Sequence, residues 1–306
     1  MREYHITKDD QDLRLDRYVK KLLPQAGLSL IYKSIRKKNI TVNGAKARED
    51  ETLREGDVVR IFFSDETLEK LGREKKPVHG KKPNIVLETE DFLIMNKPSG
   101  LLSHSAKGDY GPNLVDDMIY YLRSTGAYVP RRDVTFRPAL LHRLDRNTSG
   151  LIVGAKTGRG LRDGTRWIRE FALSKRYRTI VAGKFTDQTI VSRMGKDEGK
   201  NRVFQAEGGK EAKGIYRLLD YRGGKSLVEV DLITGRTHQI RYQLSSVGHP
   251  ILGDSKYGGK KMEGGQLLQC HQLIFPKTEN YPELSGRKVE IPMDAKMKKI
   301  WEGDHE

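Results

Sequence analysis

Asp145 stands between Arg143 and Arg146 in the stretch LLHRLDRNTSGLIVGAK (residues 140–156), where turn residues lead into an apolar, strand-like run. A carboxylate beside a cation stays ionised at neutral pH, which suits a nucleophile or an electrostatic stabiliser better than a general acid. Read alone, an Asp at this place is better explained as a turn cap. Other chemistries find less support. The histidines include His104, His142, His238, His249 and His271, and His142 with Asp145 could be imagined in a metal site. However, no His pair has the i, i+4 helical spacing of metal ligands with a carboxylate between them. Ser149 precedes Gly150 but lacks the Gly-x-Ser-x-Gly elbow. NKPSG and AEGGKEAKG match neither the Walker nor the dinucleotide spacing. No metal and no cofactor are therefore expected.

Lysine and arginine number 57 against 41 acidic residues among 306, a net charge of +16. Such an excess favours a polyanionic partner, and nucleic acid is the leading one. The charge is patterned. From Tyr18 to Arg48 there are eight basic residues (Lys20, Lys21, Lys33, Arg36, Lys37, Lys38, Lys46 and Arg48) and no acidic one. A solvated helix face mixes signs, so a patch of one sign points to phosphate binding. Lys33, Arg36, Lys37 and Lys38 are its centre. The single Cys270 excludes an intramolecular disulfide framework and a multi-cysteine zinc site. The opening MREYHITKDDQDLRLDR is charged, and no window has the apolar length of a membrane span, so a cytoplasmic protein is expected.

Three segments must position these residues. Residues 1–65 read as a small α/β unit. Leu15, Val19, Leu22 and Leu23 stand at helical spacing; Ser29 is a candidate N-cap for a second helix with Leu30, Ile31 and Ile35 on one side; ITVNG turns at Asn43-Gly44, and GDVVRIFF closes the unit as a strand. Residues 66–84 are charged and punctuated by Pro77, Gly80 and Pro83, which reads as a linker. From residue 85 to 306 strand-like runs alternate with loops and the helix-like THQIRYQLSSVG, the pattern of an α+β domain.

HRLDRNTSGL (142–151), KRYRTIVAGKF (175–185) and TGRTHQIRYQLSSVGHPILGDSKYG (234–258), read together, resemble the signature segments of the RluA family of pseudouridine synthases. DFLIMNKPSGLLSH and CHQLIFP resemble that family's first and last core segments, so the likeness spans about residues 85–295. The N-terminal unit resembles the small S-four-like RNA-binding domain of a ribosomal protein. The resemblance implies a mixed, largely antiparallel α+β catalytic domain that isomerises uridine to pseudouridine without a cofactor. It implies Asp145 as nucleophile, Tyr177 as the ring that stacks on the flipped uracil and assists late proton removal, and Arg236 as the cation that pairs with Asp145. Leu273 would be the apolar residue packed near that pair, and Arg143 the residue that fills the space vacated in the RNA. The expected substrate is large-subunit (23S) rRNA or its precursor, modified by a monomer. A tRNA enzyme, a non-catalytic ribosome-assembly factor and a metal-dependent nuclease are the alternatives. TGRGLRDGTRWIREFALS is richer in Gly and Arg than the family's commoner helical connection, and RMGKDEGKNRVFQAEGGKEAKG reads as a mobile hairpin whose lysines touch RNA, or as a solvated loop.

Overall fold

The computed structural model describes residues 1–72, 80–105, 111–130, 135–197, 199 and 202–303. In chain order its elements begin with β1 (Arg2–His5), α1 (Leu15–Leu22), α2 (Leu28–Arg36), β2 (Ile40–Val42), β3 (Ala45–Lys46), β4 (Val58–Ile61) and α3 (Asp65–Leu71). There follow β5 (Ile85–Glu88), β6 (Phe92–Lys97), α4 (Leu114–Ser124), β7 (Ala139–Leu140), β8 (Ser149–Ala155), α5 (Gly158–Arg169), β9 (Ser174–Ala182) and β10 (Gln188–Asp197). The last are β11 (Arg202–Gln205), β12 (Lys210–Arg222), β13 (Lys225–Leu232), α6 (Gln239–Ser246), a 3₁₀ turn at Ser255–Tyr257, β14 (Leu268–Ile274), β15 (Lys288–Glu290) and α7 (Ala295–Glu302).

The first strands form an antiparallel sheet in the order β1-β4-β2-β3. Asn43 and Gly44 both have positive φ, the primed turn that fits strand twist. Leu15, Val19, Ile31, Ile35, Val59 and Ile61 fill the core beneath it. Two local expectations fail there. The second helix starts at Leu28 on Gly27 rather than after Ser29, and Leu30 is exposed while Ile31 and Ile35 turn inward. The segment expected as linker opens with α3, capped by Ser64, which accepts from the Thr67 N–H; Leu68 is buried in the same core. Residues 73–79 of that segment lie outside the described residues.

The second sheet runs β11-β10-β12-β13-β9-β14-β8-β6-β5, with β15 on β14 and β7 on β8. Its pairs are antiparallel except β14 with β8. It is a mixed sheet flanked by helices, the α+β class expected. At its centre Tyr177 on β9 faces Cys270 on β14, which faces Gly150 on β8. Gly150 has φ 113°, and a Cβ there would lie 2.2 Å from the Cys270 carbonyl oxygen, so only glycine allows the two strands to meet.

The Gly- and Arg-rich segment is a helix after all. In α5 a Cβ at Gly164 would strike Leu141, so its absence lets the helix sit close on the chain leading to Asp145. The N-terminal unit docks on the start of this helix. Asp9 accepts the Arg159 N–H at 2.9 Å through its carboxylate, its carbonyl accepts from Arg162 at 2.6 Å, and Asp10 accepts from Thr135. Among the described residues no helix is long and apolar enough to cross a membrane.

Candidate active site

Asp145 sits on the turn between β7 and β8, and its backbone is held from outside its own segment. The Ser103 hydroxyl donates to the Leu144 carbonyl at 2.8 Å and accepts the Leu144 N–H at 3.1 Å. The Arg146 carbonyl accepts from the Gly100 N–H and from the Lys97 ammonium, both at 2.9 Å. Lys97 is fully buried and donates also to the carbonyls of Pro98 and Leu101. Burial pushes its pKa down to about 7, against the pull of Asp145's charge. Thus the NKPSGLLS stretch, from the end of β6 onward, clasps the turn on both sides of Asp145. The carboxylate, 24% exposed, is left at the floor of an open cleft.

The guanidinium opposite it belongs to Arg241, not Arg236. Arg241 Nη1 donates to Asp145 Oδ2 at 2.8 Å, while its Nε and Nη2 make a bidentate pair with the buried Asp254 at 2.7 and 2.9 Å. Burial lowers the Arg241 pKa, but Asp254 and Asp145 together raise it by more, so the charge is permanent. Arg236 lines the same cleft, but its Nε donates to the Glu211 carbonyl at 2.9 Å. The reason is local. Gln239, in the first turn of α6, accepts from Arg236 N and Thr234 Oγ1 and donates to the Lys213 carbonyl, fixing the TGRT loop against β12. Arg236 therefore precedes the helix and turns to β12, whereas Arg241 emerges within the helix toward Asp145.

Tyr177 also lines the cleft. Its phenol pKa is raised well above 10 by burial first, then by Cys270 and by Asp145. The phenol is therefore neutral at pH 7, with its ring at the cleft wall. Arg143 is exposed at the cleft edge. Leu273 is fully buried between Lys175 on β9 and Val289 on β15, away from the cleft; the β14 residue that lines it is Leu268. His142 turns its Nε2 to accept the Val153 N–H rather than facing Asp145.

Sequence reading missed three neighbours of Asp145: Lys97, Arg241 and His238. His238 Nε2 lies 3.7 Å from Asp145 Oδ2. Burial lowers its pKa to about 4 despite the nearby carboxylate, with Arg241 and Lys256 adding to the effect, so it is a neutral imidazole at pH 7 and the contact is not an ion pair. A signal was present, since His238 and Arg241 stand three apart at the start of a helix and share a face.

A half-buried carboxylate paired with a buried guanidinium at the base of a cleft, with a neutral tyrosine ring beside it, is equipment for chemistry on a planar base. Comparison with known proteins agrees. Residues 91–246 match the family model described as RNA pseudouridylate synthase. The chain is 30% identical over 308 residues to the ribosomal large subunit pseudouridine synthase C of Pasteurella multocida, covering 96% of this chain and 91% of that one. It is 33% identical over 245 residues to the ribosomal large subunit pseudouridine synthase D of Zymomonas mobilis, covering 72% and 74%. The solved structure of Human RNA Pseudouridylate Synthase Domain Containing 4 superposes with a TM-score of 0.55 at 20% identity, covering 70% of this chain and 90% of that one, and so shares the fold. The chain belongs to the RNA pseudouridylate synthase family, in its RluA branch. It is an enzyme that isomerises uridine in RNA.

Proposed function

We propose that the protein converts specific uridines of large-subunit (23S) rRNA, or of its precursor, to pseudouridine, with Asp145 as the nucleophile. The observation that carries this reading is Asp145 aimed by Arg241 at 2.8 Å on the floor of the cleft that Tyr177 lines. The names of relatives that act on the ribosomal large subunit support the substrate. In the reaction the N1–C1′ bond breaks, the uracil turns, and C5 bonds to C1′; the hydrogen on C5 leaves to solvent and N1 gains one, so nothing is oxidised or hydrolysed. Asp145 acts either on the sugar, at C1′ or by taking the C2′ proton, or by adding to C6 of the base. The target must leave its stack to reach the cleft. There the Tyr177 ring contributes a stacking face of about 1–3 kcal/mol, and Arg143 occupies the vacated space in the RNA. All these groups come from one chain, which makes a monomer sufficient, and an rRNA substrate places the enzyme in the cytoplasm.

In this reading residues 1–65 form the S-four-like RNA-binding unit and 85–306 the catalytic unit. Lys33, Arg36, Lys37 and Lys38 are exposed together at the end of α2. Changing all four to glutamine is expected to weaken RNA binding and to reduce the slope of log K against log salt by up to about 3, at roughly 0.7 for each phosphate that is no longer neutralised. A slope equal to that of the wild type would remove the patch from the interface.

The substrate is tested by tritium release. Because C5 loses its hydrogen, transcripts made with [5-³H]uridine release tritium to water as pseudouridine forms. Release from large-subunit rRNA and not from tRNA is expected. The reverse preference would make this a tRNA enzyme.

A further inference from the structure

Tyr257, in GDSKYG, is 2% exposed and joins the hairpin β10–β11 to the neighbours of Asp145. Its hydroxyl accepts the Val203 N–H from β11 at 3.0 Å and lies 2.9 Å from His238 Nδ1. Two guanidiniums pack on its ring, with the Arg241 carbon 5.1 Å and the Arg202 carbon 5.4 Å from its centroid. Val203 is the one buried residue of an otherwise exposed edge strand, packed with Met194, Ala212 and Tyr257. A second tie runs from Tyr242 on α6 to Gln205 at 3.4 Å. The hairpin therefore closes on the groups that face Asp145 rather than on the sheet alone.

The hydrogen-bond pattern has a direction. A hydroxyl that accepts the Val203 N–H is best satisfied by giving its own proton to His238 Nδ1. The neutral imidazole then carries its hydrogen on Nε2, the nitrogen 3.7 Å from Asp145 Oδ2. We propose that Tyr257 is a positioning residue for the isomerisation: by holding the β10–β11 hairpin against His238 and Arg241, it sets the His238 tautomer and the aim of Arg241 at Asp145. The proposal rests on the assignment of Asp145 as nucleophile. It links the hairpin, whose Arg193, Lys196 and Arg202 present positive charge and whose Phe204 is 49% exposed, to the cleft floor. An RNA that holds the hairpin down thereby holds the nucleophile's surroundings in register.

The test is Tyr257→Phe, which keeps the ring against the arginines and removes only the hydroxyl. Turnover is expected to fall on the order of 10- to 100-fold, the scale on which misaligned catalytic groups are felt, with KM for the RNA changed less than about threefold. In protein labelled with ¹⁵N at histidine, the wild-type His238 is expected as the Nε2–H tautomer and the variant as a mixture. Val203→Pro, which removes the donor instead, should move the tautomer the same way. Wild-type turnover together with an unchanged His238 tautomer in Tyr257→Phe would overturn the proposal, as would a loss seen only in KM. The tautomer is read in the free protein, so it separates this outcome from failure of the Asp145 assignment, which would show as turnover surviving in Asp145→Ala.

Discussion

Asp145→Asn is expected to lower turnover by at least about 10⁴-fold, the scale of losing a nucleophile, while leaving fold and RNA affinity nearly intact. The amide has the same shape, and its oxygen still accepts from Arg241 Nη1, so the cleft floor keeps its hydrogen bond. What goes is the negative charge and the lone pair that attacks. Because the carboxylate is partly open to solvent, the stability change should stay within about 1 kcal/mol. Single-turnover tritium release and a thermal melt on the same preparation measure both. Unfolding of the variant would make Asp145 a structural residue, a turn cap as its local sequence also allows.

Arg241→Met should show the opposite balance, losing activity and stability together. Asp254 is 1% exposed, and Arg241 is its bidentate partner. Taking away one member of a buried pair leaves an uncompensated charge and costs about 3–5 kcal/mol. Arg236→Met, by contrast, loses one hydrogen bond to a backbone carbonyl near the surface and should cost about 1 kcal/mol or less. The double variant Arg241→Met with Asp254→Leu is expected to regain much of the stability, because both charges are then gone, but none of the turnover. Denaturant melts of the four proteins check this. Equal losses for Arg236→Met and Arg241→Met would restore Arg236 to the ion-pair role.

Local signals carried the sequence reading a long way. The Asn43-Gly44 hairpin, the helix of THQIRYQLSSVG and the alternating strands after residue 85 follow from short-range pattern, and the structure has them. The helix α3 did not stand out, although Ser64 with Thr67 three residues later is a legible cap, because its charged surface hid the inward Leu68 and Leu71. Side-chain partners were harder. Asp145 and Arg241 are 96 residues apart, and Lys97 reaches a carbonyl 49 residues away. Which arginine of G-R-T-H-Q-I-R meets the carboxylate depends on where Gln239 anchors the loop to β12, a fact of sheet pairing and not of spacing. Leu273 and Leu268 lie on one strand, and only the register of β14 against β9, with its irregularity between Cys270 and Gln272, decides which of them reaches the cleft.

The most direct measurement is pseudouridine mapping, by carbodiimide labelling and reverse transcription, of total RNA from cells lacking this gene and from cells complemented with wild type or Asp145→Asn. Stops in large-subunit rRNA that vanish with the gene and return only with wild type are the expected result. An rRNA profile unchanged by loss of the gene, or restored by Asp145→Asn as well as by wild type, would contradict it.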